Sequence, residues 1–182
     1  MSRVSSYLNF MGNTEEAFSF YGSIFGTAPG DQIARMGDMP SGPGMPDLSD
    51  AEKRMVAHME LPILAGHVLM GTDMLESMGH QLRIGNNITI NLEPDTRAET
   101  DRLYAALSEG GTEATGMVEM PWAYWGVCLD RFGIRWMFNC YEPQMEPRSS
   151  EQGAEPVEEG PPEVINAARQ ELEYPGDETN EG

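Results

Sequence analysis

Two histidines and a glutamate lie within one apolar stretch of the chain, VAHMELPILAGHVLM, residues 56–70. His58 and Glu60 are two residues apart, so their side chains share one face of a strand. A short turn, LPILAG, leads to His67, which can then lie opposite Glu60 on the next strand. Two imidazoles and a carboxylate are suitable ligands for zinc or iron. The spacing therefore indicates one candidate metal site, formed by His58, Glu60 and His67.

The pairing register of these two strands decides whether His67 can lie beside Glu60. The metal site requires Leu61 to pair with Gly66, because a slip of one residue moves the His67 side chain to the other face of the sheet. The alternative is an ion pair between Glu60 and His67, with His58 hydrogen-bonded in a half-buried position. The residues alone leave both alternatives open.

Few other side chains are placed for acid–base or nucleophilic chemistry. Glu60 and Glu119 are the strand carboxylates that can face a cleft, whereas Asp130 opens an Asp-x-x-Gly turn that its side chain can cap. The sequence has no Gly-x-Ser-x-Gly elbow and no phosphate-binding P-loop. It also has no Gly-rich strand-to-helix turn suited to a nucleotide-like cofactor. Serine hydrolase and nucleotide-dependent chemistry are therefore not indicated.

Aromatic side chains near the end of the chain suggest a binding surface instead. Alternation puts Trp136 and Phe138 on one face of a strand, and Arg135 and Asn139 on the other. We expect Trp136 and Phe138 to face a cleft, with the reverse arrangement as the alternative. These aromatics can equally be core or dimer-interface residues. The predicted contacts of a planar or apolar ligand are Tyr7, Asn9, His58, Trp122, Tyr124, Trp125, Trp136 and Phe138.

An internal repeat predicts how these side chains are positioned. LNFMGNTEEAFSFYGSIFG, which begins at Leu8, aligns with INLEPDTRAETDRLYAALSEGG, which begins at Ile90, at an offset of 82 residues. Each copy reads as a short strand, a polar turn and a helix with an apolar stripe. Three strand-like stretches follow each helix, at 28–36, 55–61 and 67–72, and at 113–120, 124–129 and 134–141.

The predicted fold is therefore α+β, with two tandem βαβββ modules that form a curled mixed sheet around a cleft. Residues 1–144 form the predicted domain. Residues 145–182 carry eleven acids and two arginines among many prolines and glycines. Such a composition buries too little apolar surface to offset chain entropy, so we expect an acidic, disordered tail.

The overall charge excludes some partners. Thirty acidic and eleven basic side chains give the chain a net charge of −19, which repels nucleic acids and anionic membranes. No apolar run approaches the roughly 20 residues that span a bilayer, and MSRVSSYLNF lacks the apolar core of a signal peptide. We expect a cytoplasmic protein, in which Cys128 and Cys140 are reduced, buried packing residues.

Four segments of the chain, in order, resemble the vicinal oxygen chelate superfamily of glyoxalase I, bleomycin-resistance proteins and extradiol dioxygenases. The closer resemblance is to its PhnB-like branch. It implies paired βαβββ modules, assembled as a homodimer. The segments are YLNFMGNTEEAFSFYGSIFG (7–26), MVAHMELPILAGHVLMGTD (55–73), NNITINLEPDTRAETDRLYAALSEGG (86–111) and WAYWGVCLDRFGIRWMFN (122–139).

The resemblance also implies where a metal would bind. Catalytic members of the superfamily hold a divalent metal with four positions, which correspond here to Ser6, Met70, Asn87 and Met137. None of these offers the carboxylate or imidazole that such metals prefer. We therefore expect no cofactor at the usual site. PhnB-like relatives sometimes carry a methyltransferase label, which nothing in this sequence supports.

Three hypotheses follow for the function. The favoured one is a protein that binds a small apolar or planar molecule in an aromatic cleft, without the superfamily's usual metal site. One alternative is a metal-dependent lyase, isomerase or dioxygenase that uses zinc or iron at a displaced His/Glu site. Another is an interaction protein that acts through its acidic tail. The sequence leaves open whether the chain catalyses a reaction.

Overall fold

Two mixed β-sheets, each covered on one side by a helix, make up the fold. The computed structural model describes residues 4–30, 33–40, 42 and 46–141; the predicted tail lies outside them. The α+β class is confirmed. The first module comprises β1 (Ser6–Phe10), α1 (Thr14–Phe25), β2 (Ala34–Arg35), α2 (Asp50–Arg54), β3 (Val56–Pro62) and β4 (Val68–Asp73). The second comprises β5 (Ile90–Leu92), α3 (Arg97–Ser108), β6 (Glu113–Ala114), β7 (Val118–Glu119), β8 (Tyr124–Leu129) and β9 (Arg135–Cys140).

The repeat is visible in the sheet topology. The first sheet has the order β1-β4-β3-β2 and the second has β5-β9-β8-β6, with β7 also paired to β8. In each sheet the first strand is parallel to the last, and the other pairs are antiparallel. Tyr7 pairs with Met70, and Asn91 pairs with Met137. Met70 and Met137 hold equivalent positions in the two sheets, so Tyr7 corresponds to Asn91. The first strands of the two modules are therefore 84 residues apart, rather than the 82 of the sequence alignment.

The predicted strands differ from the observed ones mainly at the outer edges of the sheets. β8 has the predicted bounds, and β3, β4 and β9 agree within a residue at each end. Among the described residues of the predicted strand 28–36, β2 comprises Ala34–Arg35, and the predicted strand 113–120 is divided between β6 and β7. Gly116, with a φ of 76°, lies between β6 and β7. That left-handed conformation interrupts the extended backbone.

Each sheet buries the side that faces its helix. On β1, Leu8 and Phe10 are buried, whereas Tyr7 between them is exposed. Gly71 on β4 lies under Phe18 of α1, and a Cβ at that position would come within 2.6 Å of the Phe18 ring. The glycine thus allows the helix to approach the sheet closely. We call the opposite, uncovered side of each sheet its open face.

Asp130 joins the two modules through a buried carboxylate. One of its oxygens accepts hydrogen bonds from the backbone N–H groups of Phe132 (2.8 Å) and Ile134 (2.9 Å), which close the β8–β9 turn. The other accepts from the Tyr21 hydroxyl of α1 at 2.7 Å and from the Trp136 indole N–H at 2.8 Å. The predicted turn cap is confirmed, and it also ties the first module's helix to the second module's sheet.

Asp73 performs a similar task within the first module. Its carboxylate accepts from the Thr14 N–H and hydroxyl at the start of α1, and from the N–H groups of Gly12 and Val56. The carboxylate therefore fixes the first turn of α1 against the ends of β3 and β4. A buried carboxylate is tolerated when donors satisfy it in this way.

The two cysteines are free and buried, as predicted. Burial, and secondarily the charge of Asp130, raises the pKa of the Cys128 thiol to about 12. The thiol is therefore protonated at neutral pH and has little nucleophilic character. Within the described part of the chain, no helix is long and apolar enough to cross a membrane.

The substitution Asp130→Asn tests the junction. An amide has one acceptor oxygen, so either the turn N–H groups or the Tyr21 and Trp136 donors would face an NH₂ group, whichever way the amide is flipped. We expect a loss of roughly 2–4 kcal/mol in the free energy of unfolding, measured by urea denaturation. Asp95→Asn, at an exposed position, is the control and should change it by less than about 0.5 kcal/mol. Equal effects of the two substitutions would contradict the assigned role.

Tyr21→Phe tests the same junction through pH. Burial, followed by the charge of Asp130 and its hydrogen bond, raises the pKa of Tyr21 well above its usual value. The unfolded phenol ionises near pH 10 while the folded one stays neutral. The contribution of Tyr21 to the stability of the wild type is therefore fully present below pH 10 and is lost as the pH rises above it.

Phenylalanine lacks this ionisation. We expect Tyr21→Phe to be less stable by about 1 kcal/mol at pH 8, where only the hydrogen bond is lost. Above pH 10 the difference should shrink or reverse. Urea unfolding of both proteins at pH 8 and pH 11 measures this change, and an unchanged difference would show that the phenol does not ionise on unfolding.

Candidate functional site

The open face of the first sheet carries the polar side chains that come closest to forming a functional site. Tyr7 of β1, Met70 of β4 and Glu60 of β3 form one row across three strands. Asn9, Thr72 and His58 lie two residues further along the same strands and on the same face. The structure thus brings together Tyr7, Asn9 and His58, three of the predicted ligand contacts.

Tyr7, His58 and Glu60 make a connected set of contacts. The Tyr7 hydroxyl lies 3.2 Å from His58 Nδ1, and the two rings are stacked with centroids 5.8 Å apart. His58 Nε2 lies 3.5 Å from Glu60 Oε1. The His58 and Glu60 side chains retain 41% and 38% of their exposure. All three groups are therefore reachable from solvent.

His67 does not join this set, so the alternative metal site of His58, Glu60 and His67 is not formed. Leu61 pairs with Leu69 rather than Gly66, which shifts the register by three residues and turns His67 away from His58. His67 Nε2 instead lies 3.1 Å from the Ser6 hydroxyl. The predicted ion pair between Glu60 and His67 is absent for the same reason. Within the described residues, no group of three His, Cys, Asp or Glu side chains could hold a metal.

The predicted aromatic cleft is also wrong in part. Trp136 and Phe138 are fully buried on the helix side of the second sheet. There the Trp136 ring packs edge-on against Tyr21, at 5.5 Å, and Phe138 packs against Tyr104 of α3, at 5.4 Å. The alternation of residues along β9 correctly predicted that Trp136 and Phe138 share a face. It did not show which face of the sheet the helices cover. Neither can contact a ligand on the open face.

The structure places Tyr124, Trp125 and Trp122 in three different surroundings. The Tyr124 hydroxyl donates to Asp101 of α3 at 2.8 Å, and the Arg97 guanidinium lies 4.6 Å from its ring centre. Tyr124 therefore belongs to the helix side as well. Trp125 pairs with Asn139 on the open face of the second sheet. Trp122 lies before β8 and is 54% exposed.

The open face of the second sheet carries Met137 and Asn139 of β9. They alternate with Trp136 and Phe138, so the reversed arrangement of this strand is the observed one. Asn139 is itself buried. The Asn139 amide donates to the Asn91 side-chain oxygen at 2.7 Å, across the parallel β5–β9 pair. This amide contact occupies the face that the sequence assigned to the aromatics.

A cavity of about 540 Å³ lies beside β1. Tyr7 and Asn9 form one wall, and Phe132 and Ile134 from the β8–β9 turn form another. The connection between the modules supplies the rest of the lining with Leu82, Arg83, Ile84, Gly85, Asn87 and Ile88. Its volume lies within the ~300–1,000 Å³ that is usual for small-molecule sites.

Sequence reasoning missed most of this lining. The signal for it was an alternation of apolar residues in the otherwise polar connection, at Leu82, Ile84 and Ile88. Ile84 and Ile88 are 61% and 77% exposed. A second cavity of about 480 Å³ lies on the other side of β1, between His67 and β5.

The four positions that the superfamily uses for its metal do not fit a hard cation. Ser6 is hydrogen-bonded to His67, and Asn87 lines the first cavity. Met70 and Met137 lie on the open faces of different sheets. Together they supply one hydroxyl, one amide and two thioethers, without a carboxylate or an imidazole.

Comparison with known proteins identifies the family. The family described as 3-demethylubiquinone-9 3-methyltransferase matches residues 2–138. The chain belongs to this family. Protein PA1353 from Pseudomonas aeruginosa has a similar structure, with 31% identity and a TM-score of 0.66. The match covers 78% of this chain and 99% of that protein.

Two further structures define the fold. The PhnB protein of Bacillus cereus is 21% identical, with a TM-score of 0.58 over 77% of this chain and all of that protein. A glyoxylase/bleomycin resistance protein/dioxygenase domain from Frankia is 13% identical, with a TM-score of 0.53. That match covers 79% of this chain and 95% of the domain. Both matches show that the chain has the fold of a PhnB protein and of a glyoxylase/bleomycin resistance protein/dioxygenase domain, the fold that the resemblance of its sequence implied.

Proposed function

We propose that this PhnB-like protein binds one small, largely apolar molecule in the cavity beside β1. The observation that carries the proposal is the cavity itself, which is open to solvent and has both apolar walls and convergent polar groups. Ligand sites in proteins commonly combine these features. The aromatic side chains of β9 have no part in it, because they are buried.

The apolar walls favour a compact hydrocarbon or ring. Ile84, Ile90, Phe132 and Ile134 surround the volume. Burying apolar surface contributes about 25 cal/mol per Å² removed from water. The exposed Ile84 side chain would gain from contact with such a ligand. Binding would thus cover apolar surface that water now contacts.

The polar groups favour a ligand with one hydrogen-bonding or anionic end. Tyr7 and Asn9 present a hydroxyl and an amide from one strand. Arg135 also lines the cavity, although its guanidinium donates to Glu113 at 2.9 Å. This ion pair partly neutralises the arginine. We therefore infer a ligand with at most one negative charge.

Neither the superfamily's metal nor a methyl transfer enters this proposal. The residues at the usual metal positions do not suit a hard divalent cation. The family description names a methyltransferase, but the sequence has no Gly-rich turn suited to a nucleotide-like cofactor after a predicted strand. Ligand binding is the activity that the observed side chains support.

Dye binding to a matched pair of variants tests the proposal. The probe is 8-anilinonaphthalene-1-sulfonate, a planar apolar molecule with one negative charge. We expect saturable binding of one dye per chain, measured by fluorescence. Asn9→Trp should weaken it about tenfold or more, because the indole would fill the cavity from an exposed position. Asn91→Trp, an exposed residue of β5 outside this cavity, is the control and should leave binding unchanged.

A reversed outcome would place the ligand elsewhere. Weaker binding in Asn91→Trp with normal binding in Asn9→Trp would favour the second cavity, which Asn91 lines. Equal affinity in all three proteins would contradict a specific site beside β1. Circular dichroism of each variant checks that the fold is intact.

We also propose that the chain forms a homodimer. Exposed apolar side chains lie in the connection between the modules and in the chain that leads into β1. Val4 is 90% exposed, and Ile88 is 77% exposed. Exposed apolar surface of this kind commonly marks an interface. A second copy that covers this surface would also border the cavity beside β1.

Sedimentation equilibrium tests the homodimer. The chain has a mass of 20.1 kDa, and we expect a particle of about twice that mass at micromolar concentration. Ile88→Asp places a charge in the proposed interface and should shift the equilibrium toward monomer by about tenfold or more, since an unpaired buried charge is costly. The control is Met39→Asp, at a residue that is 44% exposed. Ile33→Asp would not serve as a control, because Ile33 packs on the core. A monomeric wild type would overturn the proposal.

A further inference from the structure

The side-chain contacts run from Tyr7 through His58 to Glu60, which is the order that a proton relay requires. The Tyr7 hydroxyl faces His58 Nδ1 at 3.2 Å, and His58 Nε2 faces Glu60 Oε1 at 3.5 Å. If Nε2 carries the imidazole hydrogen, Nδ1 is an acceptor and the hydroxyl donates to it. A carboxylate near Nε2 favours that tautomer. The longer contact is typical of sites that tighten only when a ligand is bound.

We propose that Tyr7, His58 and Glu60 form an acid–base centre that acts on a small carbonyl compound. The proposal rests on the ligand site described above, because Tyr7 also lines the cavity beside β1. Tyr7 is the group that contacts the substrate. His58 takes and returns the Tyr7 proton, and Glu60 is a positioning residue that holds the imidazole.

The proton transfer balances without any further reagent. The Tyr7 oxygen removes a proton from the carbon next to the substrate carbonyl, while the phenol proton moves to His58 Nδ1. The products of this step are an enolate, a neutral tyrosine and an imidazolium beside Glu60. Return of a proton to the same carbon regenerates the side chains. The net reaction is exchange of the hydrogen on that carbon with solvent, or inversion of that carbon when the proton returns to the opposite face of the enolate.

The neighbouring residue on the same strand face suits the substrate oxygen. Asn9 lies two residues from Tyr7, roughly 7 Å along β1, and lines the same cavity. Its amide N–H can donate to the carbonyl oxygen, where negative charge develops in the enolate. A base and a donor on adjacent positions of one face favour a carbonyl compound over a plain hydrocarbon.

Few charged groups compete with Glu60 around His58. On β4, the neighbouring open-face residues are Met70 and Thr72, which do not titrate. On β2, Ala34 pairs with His58, and the Arg35 guanidinium is directed toward Glu15 of α1 at 2.7 Å. Among the described residues of these strands, Tyr7 and Glu60 are thus the titratable groups that face the imidazole.

Acetylation by p-nitrophenyl acetate tests the relay without knowledge of the natural substrate. The Tyr7 oxygen attacks the ester carbonyl, p-nitrophenolate leaves, and the phenol proton passes to His58. Mass spectrometry of peptides measures the rate at each tyrosine. Tyr141, which is 54% exposed and is itself not part of the relay, serves as the internal reference. We expect Tyr7 to react about tenfold or more faster than Tyr141 at pH 7.5.

A His58 variant separates a relay from simple exposure. In His58→Gln, Tyr7 should lose its rate advantage over Tyr141. Glu60→Gln retains an acceptor for Nε2 and should keep part of the rate, whereas Glu60→Leu should match His58→Gln.

Two outcomes would overturn the relay. One is a Tyr7 rate no greater than that of Tyr141 in the wild type. The other is a Tyr7 rate that His58→Gln leaves unchanged while the variant remains folded. The dye experiment is independent of both, so ligand binding can stand if the relay fails. Conversely, a fast Tyr7 without dye binding would refute only the proposed cavity site.

Discussion

The buried Asp130 carboxylate is the interaction on which the arrangement of the two modules depends. Its four hydrogen bonds close the β8–β9 turn and hold Tyr21 of α1 against Trp136 of β9. A buried charge persists only when donors replace its lost hydration. That requirement fixes the turn residues Phe132 and Ile134, and these form one wall of the cavity beside β1.

The same constraint explains which face of the second sheet is open. Because the Trp136 indole must reach Asp130, its ring lies on the helix side, and Phe138 follows it there by alternation. Met137 and Asn139 are left on the open face. Of these two residues, Met137 corresponds to a metal-ligand position of the superfamily, and its thioether does not suit a hard divalent cation. The candidate site moves to β1, where Tyr7 and Asn9 line the cavity and Tyr7 contacts His58 of β3.

The sequence predicted the modules well because their signals are local and repeated. Helical stripes and alternating strands predicted α1, α3 and β8, and the four matching segments predicted the fold. The faces and registers depended on tertiary contacts that no local pattern contains. Leu64–Gly66 forms a short 3₁₀ turn with Ala65 at a φ of 54°, so β4 pairs three residues later than predicted. That shift rules out the alternative metal site of His58, Glu60 and His67.

Methyl NMR tests the central claim, that a small molecule binds beside β1, most directly. The isoleucines divide between the cavity (Ile84, Ile88, Ile90 and Ile134) and other surroundings such as the core position Ile24. With ¹³C-labelled isoleucine methyls, addition of the naphthalene dye should shift the cavity signals through the ring current and leave Ile24 unchanged. Shifts at Ile24 or Ile63 without shifts at Ile84 and Ile134 would contradict the assigned site.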